Sequence, residues 1–75
     1  MKECFDVQEF YLDSLQFANQ AATFFLMNGF QLKGHLKHYD DQVLIIEANG
    51  KQQMVYKKAV STIMPAHSVT FPETY

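Results

Sequence analysis

The dipeptide Asn-Gly occurs twice, at residues 28–29 and 49–50, and each copy stands between two apolar runs of strand-like composition. Asn and Gly tolerate the positive φ angles of a tight reversal whose twist suits the flanking strands, so each copy predicts a β-hairpin. Ala21–Met27 leads into the first pair and Phe30–Tyr39 follows it; Val43–Ala48 leads into the second and Gln52–Tyr56 follows. Asp40-Asp41 supplies the turn between the hairpins, and Lys57-Lys58 breaks the chain before a last run, Val60–Met64, which Pro65 ends. A two-residue loop at Asn28-Gly29 pairs Met27 with Phe30 and Phe25 with Leu32, placing Thr23, Phe25, Met27, Phe30, Leu32 and Gly34 on one face. Gly34 within its strand predicts a sharp bend of the kind small barrels need to curl.

One helix precedes the strands. Asp6 can accept from first-turn amides while Glu9 reaches back, and both acids suit the positive end of a helix dipole. Val7, Tyr11, Leu15 and Ala18, flanked by Leu12, recur at a period of about 3.6 and predict a helix over residues 7–18 with one face on a core. The fold class is therefore mainly β with one N-terminal helix, a strongly bent antiparallel barrel of five strands. Residues 1–5 are expected to be a flexible end, 6–64 the folded domain with strands over 21–64, and 65–75 a tail.

A 75-residue chain buries only about 60% of its unfolded surface, yet this one is 48% hydrophobic and 15% aromatic. The first strand alone carries Phe24 and Leu26 on one face and Phe25 and Met27 on the other, more than one core absorbs. Its second face must meet a neighbouring subunit or a ligand. The single cysteine, Cys4, excludes an intrachain disulfide and a cysteine-based metal framework, which leaves oligomerisation as the staple. The N-terminus lacks the pattern of a secretory signal and no apolar run is long enough to span a bilayer, so a cytoplasmic location without membrane contact is expected.

The net charge of −2 argues against nucleic acid until it is divided by position. Residues 1–13 hold Lys2 against Glu3, Asp6, Glu9 and Asp13, a net of −3. Residues 14–72 hold Lys33, Lys37, Lys51, Lys57 and Lys58 against Asp40, Asp41 and Glu47, a net of +2. These charges are either ordinary solvated surface or a basic body with acidic ends, whose lysines can meet phosphate as point charges.

Three segments then carry a resemblance. Leu26-Met27-Asn28-Gly29-Phe30-Gln31-Leu32-Lys33-Gly34, then Tyr39-Asp40, then Gly50-Lys51-Gln52-Gln53-Met54-Val55-Tyr56-Lys57-Lys58-Ala59-Val60-Ser61-Thr62 closely resemble Hfq, the family of bacterial Sm-like RNA chaperones. Val7-Gln8-Glu9-Phe10-Tyr11-Leu12 resembles its N-terminal helix, and the likeness runs without a gap from about residue 6 to 64. It implies an Sm-like, SH3-like barrel in a homohexameric ring, closed by pairing the fourth strand of one protomer with the fifth of the next. The seam would be Met54, Val55 and Tyr56 against Val60, Ser61, Thr62, Ile63 and Met64.

The resemblance also implies RNA sites. On the distal face, which takes adenine-rich RNA, Phe25, Phe30 and Leu32 match apolar walls, and Gly29, Gln31, Lys33, Gln53 and Thr62 match polar contacts. On the proximal face, which takes uridine-rich RNA near the pore, Gln8 and Lys57 match, but Lys58 replaces the usual histidine. Gln42 there replaces a base-stacking aromatic, and Asp41 stands beside it. That pocket is expected to be weakened, since stacking is worth about 1–3 kcal/mol per base. Tyr39, by strand parity, should point away from residue 42. At the rim, Gln16, Phe17, Ala18 and Asn19 replace a basic patch, so weak RNA annealing is expected.

The function implied is an RNA-binding chaperone that assists post-transcriptional regulation by small RNAs, with small and messenger RNAs as partners. The alternative is a divergent ring that binds proteins as a scaffold. No cofactor, metal or catalytic residue is expected. His35, His38 and His67 have no metal-site spacing; His35 and His38, three apart in a strand, should lie on opposite faces.

Overall fold

The computed structural model describes residues 6–71; the end at 1–5 with Cys4, and the last four residues of the expected tail, lie outside the described residues. The chain forms helix α1 (Val7–Ala18) and strands β1 (Ala21–Leu26), β2 (Gln31–Tyr39), β3 (Val43–Ala48), β4 (Lys51–Tyr56) and β5 (Val60–Pro65), with a 3₁₀ turn at Lys57–Ala59. All strand pairings are antiparallel, in the order β4-β3-β2-β1-β5. Among the described residues β4 and β5 are the two unpaired edges of one curled sheet.

Local chemistry sets the helix ends. Asp6 accepts from the Glu9 amide at 3.0 Å, and Asn19 ends the helix in the left-handed region, its own amide donating to the Gln16 carbonyl. Leu12 and Leu15 are buried against Ala22, Phe24, Leu36, Leu44, Ile46 and Val55, and Tyr11 packs beside them. The predicted stripe is narrower than its periodicity implied: Val7 and Ala18 are exposed, because the small barrel meets only the middle of the helix.

The two Asn-Gly pairs part company. Ala48 pairs with Lys51, so Asn49 (φ 55°) and Gly50 (φ 74°) form the expected two-residue loop. Phe25 pairs with Gln31 and Phe24 with Leu32, one residue away from the predicted register. Leu26 donates to the Phe30 carbonyl (2.8 Å), Gly29 donates back to Leu26 (2.9 Å), and only Gly29 has a positive φ, so the loop is Met27-Asn28-Gly29. Met27 leaves the ladder because its amide donates to the Ala59 carbonyl (2.7 Å). This single slip reverses the face of every β2 residue relative to β1. Leu32 and Gly34 share the inward face with Phe24 and Ala22, while Gln31 and Lys33 share the outward face with Phe25 and Thr23.

A bulge at Lys37 changes parity again. Leu36 pairs with Ile46 and Tyr39 with Leu44, both buried partners, while His35 pairs with Glu47 and His38 with Ile45. The extra residue therefore sets Tyr39 inward with Leu36, and sets His35 and His38 on the same outward face rather than opposite ones. Gly34 lies where a Cβ would strike the Glu47 carbonyl, so the bend expected there is also a close crossing of backbones.

Pro65 is the last ladder residue, and the chain beyond it is packed. Ala66 donates to the Ala21 carbonyl (2.9 Å), His67 donates to the Gln20 side chain (2.8 Å), and Val69 rests on the core. The Phe71 ring stands 5.2 Å from Phe10 and 6.1 Å from Tyr11, so the tail through residue 71 lies along the helix.

Candidate nucleic-acid interface

The outward face of β5, β1 and β2 carries side chains in rows, because directly paired residues share a face. Thr62, Phe25 and Gln31 form one row, and Met64, Thr23 and Lys33 the next. Phe30 stands at the end of the hairpin, 69% exposed, its amide held by the Asn28 side chain (3.0 Å). Gln31 and Lys33 thus join Phe25 and Thr62 on one apolar and amide-bearing surface, with Gly29 and the exposed Phe30 in the hairpin at its end. A base can stack on such rings, and the Gln31 amide can read a base edge.

Two of the expected distal residues stand apart. Leu32 is half-buried against the core, and Gln53 is on β4, across the width of the sheet from Thr62. The bulge at Ser61, whose hydroxyl donates to the Phe25 carbonyl (3.2 Å), keeps Thr62 opposite Phe25.

The other candidate region is a cavity of about 920 Å³ between α1 and the β2–β3 turn, lined by Gln8, Asp41, Gln42 and Lys57 among others. Lys58 does not line it. Tyr39 does, contrary to the parity expectation, because the chain reverses at Asp41-Gln42 and strand alternation does not carry through the turn. Its hydroxyl donates to the Glu9 carbonyl (3.2 Å), and the Lys57 ammonium sits 5.5 Å from its ring centre. An aromatic therefore faces the cavity although Gln42 does not supply one. Among the described residues, however, the charged groups of the walls are Asp6, Glu9, Asp13, Asp40 and Asp41 against Lys57. Burial raises the Tyr39 pKa, and the Asp13, Glu9 and Asp6 charges raise it further. Asp40 caps the turn, accepting from the Gln42 (2.8 Å) and Val43 (2.9 Å) amides, and those bonds lower its pKa, with Lys57 adding to the effect. A field of this sign repels phosphate.

At the expected rim, Gln16 lines the same acidic cavity, Phe17 is 91% exposed, and Ala18 and Asn19 are exposed. On the sheet edges Met54, Tyr56 and Met64 are exposed, Ser61 and Thr62 are polar and exposed, and Val60 and Ile63 rest on the core. Val55 alone of the expected seam is buried within the chain. A groove of about 520 Å³ beside β5 is lined by Val7, Tyr11, Leu12, Leu44 and Val60–Ile63, with Gln8 and Lys57 at its polar margin. Among the described residues no group of three His, Cys, Asp or Glu side chains could hold a metal ion, and no helix is long and apolar enough to cross a membrane.

Comparison with known proteins agrees with this geometry. The family model described as Hfq protein matches residues 7–70. An RNA-binding protein Hfq of Brevibacillus brevis is 43% identical over 70 residues, covering 93% of this chain and 89% of the relative. Another, of Alkaliphilus oremlandii, is 44% identical over 71 residues, covering 95% and 89%. A crystal structure of the pleiotropic translational regulator Hfq superposes with a TM-score of 0.77 at 36% identity, over 79% of this chain and 98% of that one. With the helix, the five-stranded order and nearly the whole length in common, the chain belongs to the Hfq family.

Proposed function

We propose that this protein is an RNA-binding chaperone, a homohexameric ring that holds adenine-rich single-stranded RNA on its outward β5–β1–β2 face and assists regulation of messenger RNAs by small RNAs. The observation that carries the reading is the row Thr62–Phe25–Gln31 with Phe30 exposed at its end, an aromatic and amide surface on a rigid sheet. Relatives at 43% and 44% identity carry the name RNA-binding protein. Ring closure is supported by the two unpaired edges and by the exposed Met54, Tyr56 and Met64 on them. A neighbour's β4 laid along β5 would fill the apolar groove there and carry Gln53 toward Thr62, completing a purine site that one chain leaves divided.

The acidic cavity beside α1 makes the uridine-directed proximal site the weaker one, with Gln8, Lys57 and Tyr39 its remaining contacts. No catalytic step is assigned. The test titrates labelled oligoadenylate and oligouridylate against the protein by fluorescence anisotropy. Oligoadenylate is expected to bind more tightly, and Phe30→Ala to weaken it roughly five- to a hundredfold, the value of one stacked base. Indifference of oligoadenylate to both Phe30→Ala and Phe25→Ala would sink the reading. A mass in solution equal to one protomer at micromolar concentration would remove the ring.

A further inference from the structure

Three methionines of the described residues are exposed, and their surroundings differ. Met54 on β4 and Met64 on β5 stand on the edges that ring closure would cover. Met27 stands on neither edge and is 69% exposed, as open to water as Phe30. It opens the β1–β2 loop, two residues after Phe25 of the outward row, and two residues span at most about 7 Å of chain. An unbranched side chain with three rotatable bonds covers that distance. The loop is closed by the Leu26 and Gly29 amides, which donate to the Phe30 and Leu26 carbonyls, and the Met27 amide is tied to the Ala59 carbonyl at 2.7 Å. The backbone at Met27 is thus held from both sides, which keeps the thioether at the surface at the aromatic end of the row.

We propose that Met27 is a modification site, oxidised by hydrogen peroxide to the sulfoxide, and that this oxidation lowers the affinity of the outward face for adenine-rich RNA. The proposal rests on the RNA-binding reading above and adds to it a way of turning that site down. The sulfur lone pair attacks one peroxide oxygen, the O–O bond breaks and an S=O bond forms. The other oxygen leaves as water with both protons, so the sulfur is oxidised and the peroxide reduced. As a thioether, Met27 is a soft apolar surface against which a purine or a phenylalanine ring packs. As a sulfoxide it carries an acceptor oxygen held by water. A base stacked at Phe25 or Phe30 strips that water, and the face of the base offers no donor in return. Exposure selects the residue: in a closed ring Met54 and Met64 are shielded while Met27 stays open. The sulfoxide is enzymatically reducible, so the change reverses.

The experiment treats the full chain and its Met27→Leu variant with dilute hydrogen peroxide, removes the excess with catalase and locates the added oxygen by peptide mass. Anisotropy with labelled oligoadenylate is measured before and after. The readout is the ratio of the two affinities within each protein, so any effect of the leucine itself drops out. The parent is expected to gain oxygen at Met27 ahead of Met54 and Met64 and to lose affinity about five- to thirtyfold. Methionine sulfoxide reductase is expected to restore it, and Met27→Leu to bind equally before and after treatment. Cys4, outside the described residues, is common to both proteins, so its oxidation cancels in the comparison. Met27→Gln, which places a polar side chain of similar length there without peroxide, is expected to bind more weakly than Met27→Leu. Full affinity in a parent oxidised at Met27 overturns the proposal while the outward-face reading stands. So does a Met27 that stays reduced while Met54 and Met64 oxidise, an equal loss in Met27→Leu, or a Met27→Gln that binds as well as Met27→Leu. Failure of the untreated parent to bind oligoadenylate overturns both.

Discussion

Replacing Gly34 by alanine sets two physical effects against each other. Gly34 does not need a left-handed backbone, so local conformational entropy alone favours alanine by about 0.4–1 kcal/mol. The added Cβ, however, would strike the Glu47 carbonyl oxygen, with the carbonyl carbon at 2.9 Å and the Ala48 Cα at 3.1 Å. These are backbone atoms, and the flanking Ile46 and Ala48 side chains are buried, so β3 cannot swing away as a loop would. Overpacking of this kind costs about 1–3 kcal/mol. Lengthening the ladder at the neighbouring His35–Glu47 pair costs about 1 kcal/mol more. Steric cost wins, leaving a net destabilisation of about 2–3 kcal/mol, or roughly 10–20 °C in melting temperature for a domain of this size. Thermal unfolding followed by circular dichroism, at one fixed protomer concentration so that assembly contributes equally, measures it. Gly50→Ala is the control: φ is +74° and nothing lies within 4 Å of the new Cβ, so only the backbone cost of about 1–2 kcal/mol applies. If Gly34→Ala melts at or above the parent temperature, the close crossing of β2 and β3 is not what selects glycine.

Two other perturbations test the turn and the tail. Asp40 has a folded pKa below its unfolded value, so its turn contributes stability above the unfolded pKa and loses it as pH falls through the lowered one. Asp40→Asn, which keeps an acceptor for the Gln42 and Val43 amides, should flatten the fall of melting temperature below about pH 4; an acid limb identical to the parent's would refute this. Phe71→Ala removes the ring contacts to Phe10 and Tyr11 and should cost about 1 kcal/mol. It should also speed amide exchange at His67 and Val69, and unchanged exchange there would show that the Gln20 tether alone holds the segment.

The helix and the five strands were legible because their signals are local. Asp6, the spacing of Tyr11, Leu12 and Leu15, and the turn at Asp40 act over a few residues, and each did in the fold what its chemistry suggested. The two Asn-Gly pairs show where local reading ends. They are identical as dipeptides, but at residue 28 the asparagine turns its side chain to the Phe30 amide instead of adopting a positive φ, while Met27 bonds to Ala59, which is thirty-two residues away. A long-range bond decided that register, and no pattern near the turn encodes it. The bulge at Lys37 is of the same kind. It put His38 on the face of His35, and Lys37 at Asn19, and a strict alternation of faces misses both.

The net charge of −2 acquires its meaning from the same geometry. Five carboxylates line one side of α1 and the strip Lys33, His35, Lys37 lies beyond its other end. At physiological ionic strength the field of an exposed charge falls off over about 8 Å, so an approaching polyanion responds to the nearer group of charges and not to the total. If six copies share a ring, each group repeats with the symmetry, giving a phosphate-repelling surface around the helices and an attractive one on the outward sheet. RNA reaching such a ring is then turned toward the sheet before any base is read. In the proposed reading, aromatic contact at Phe25 and Phe30 would supply affinity, and the acids beside α1 would supply the choice of face.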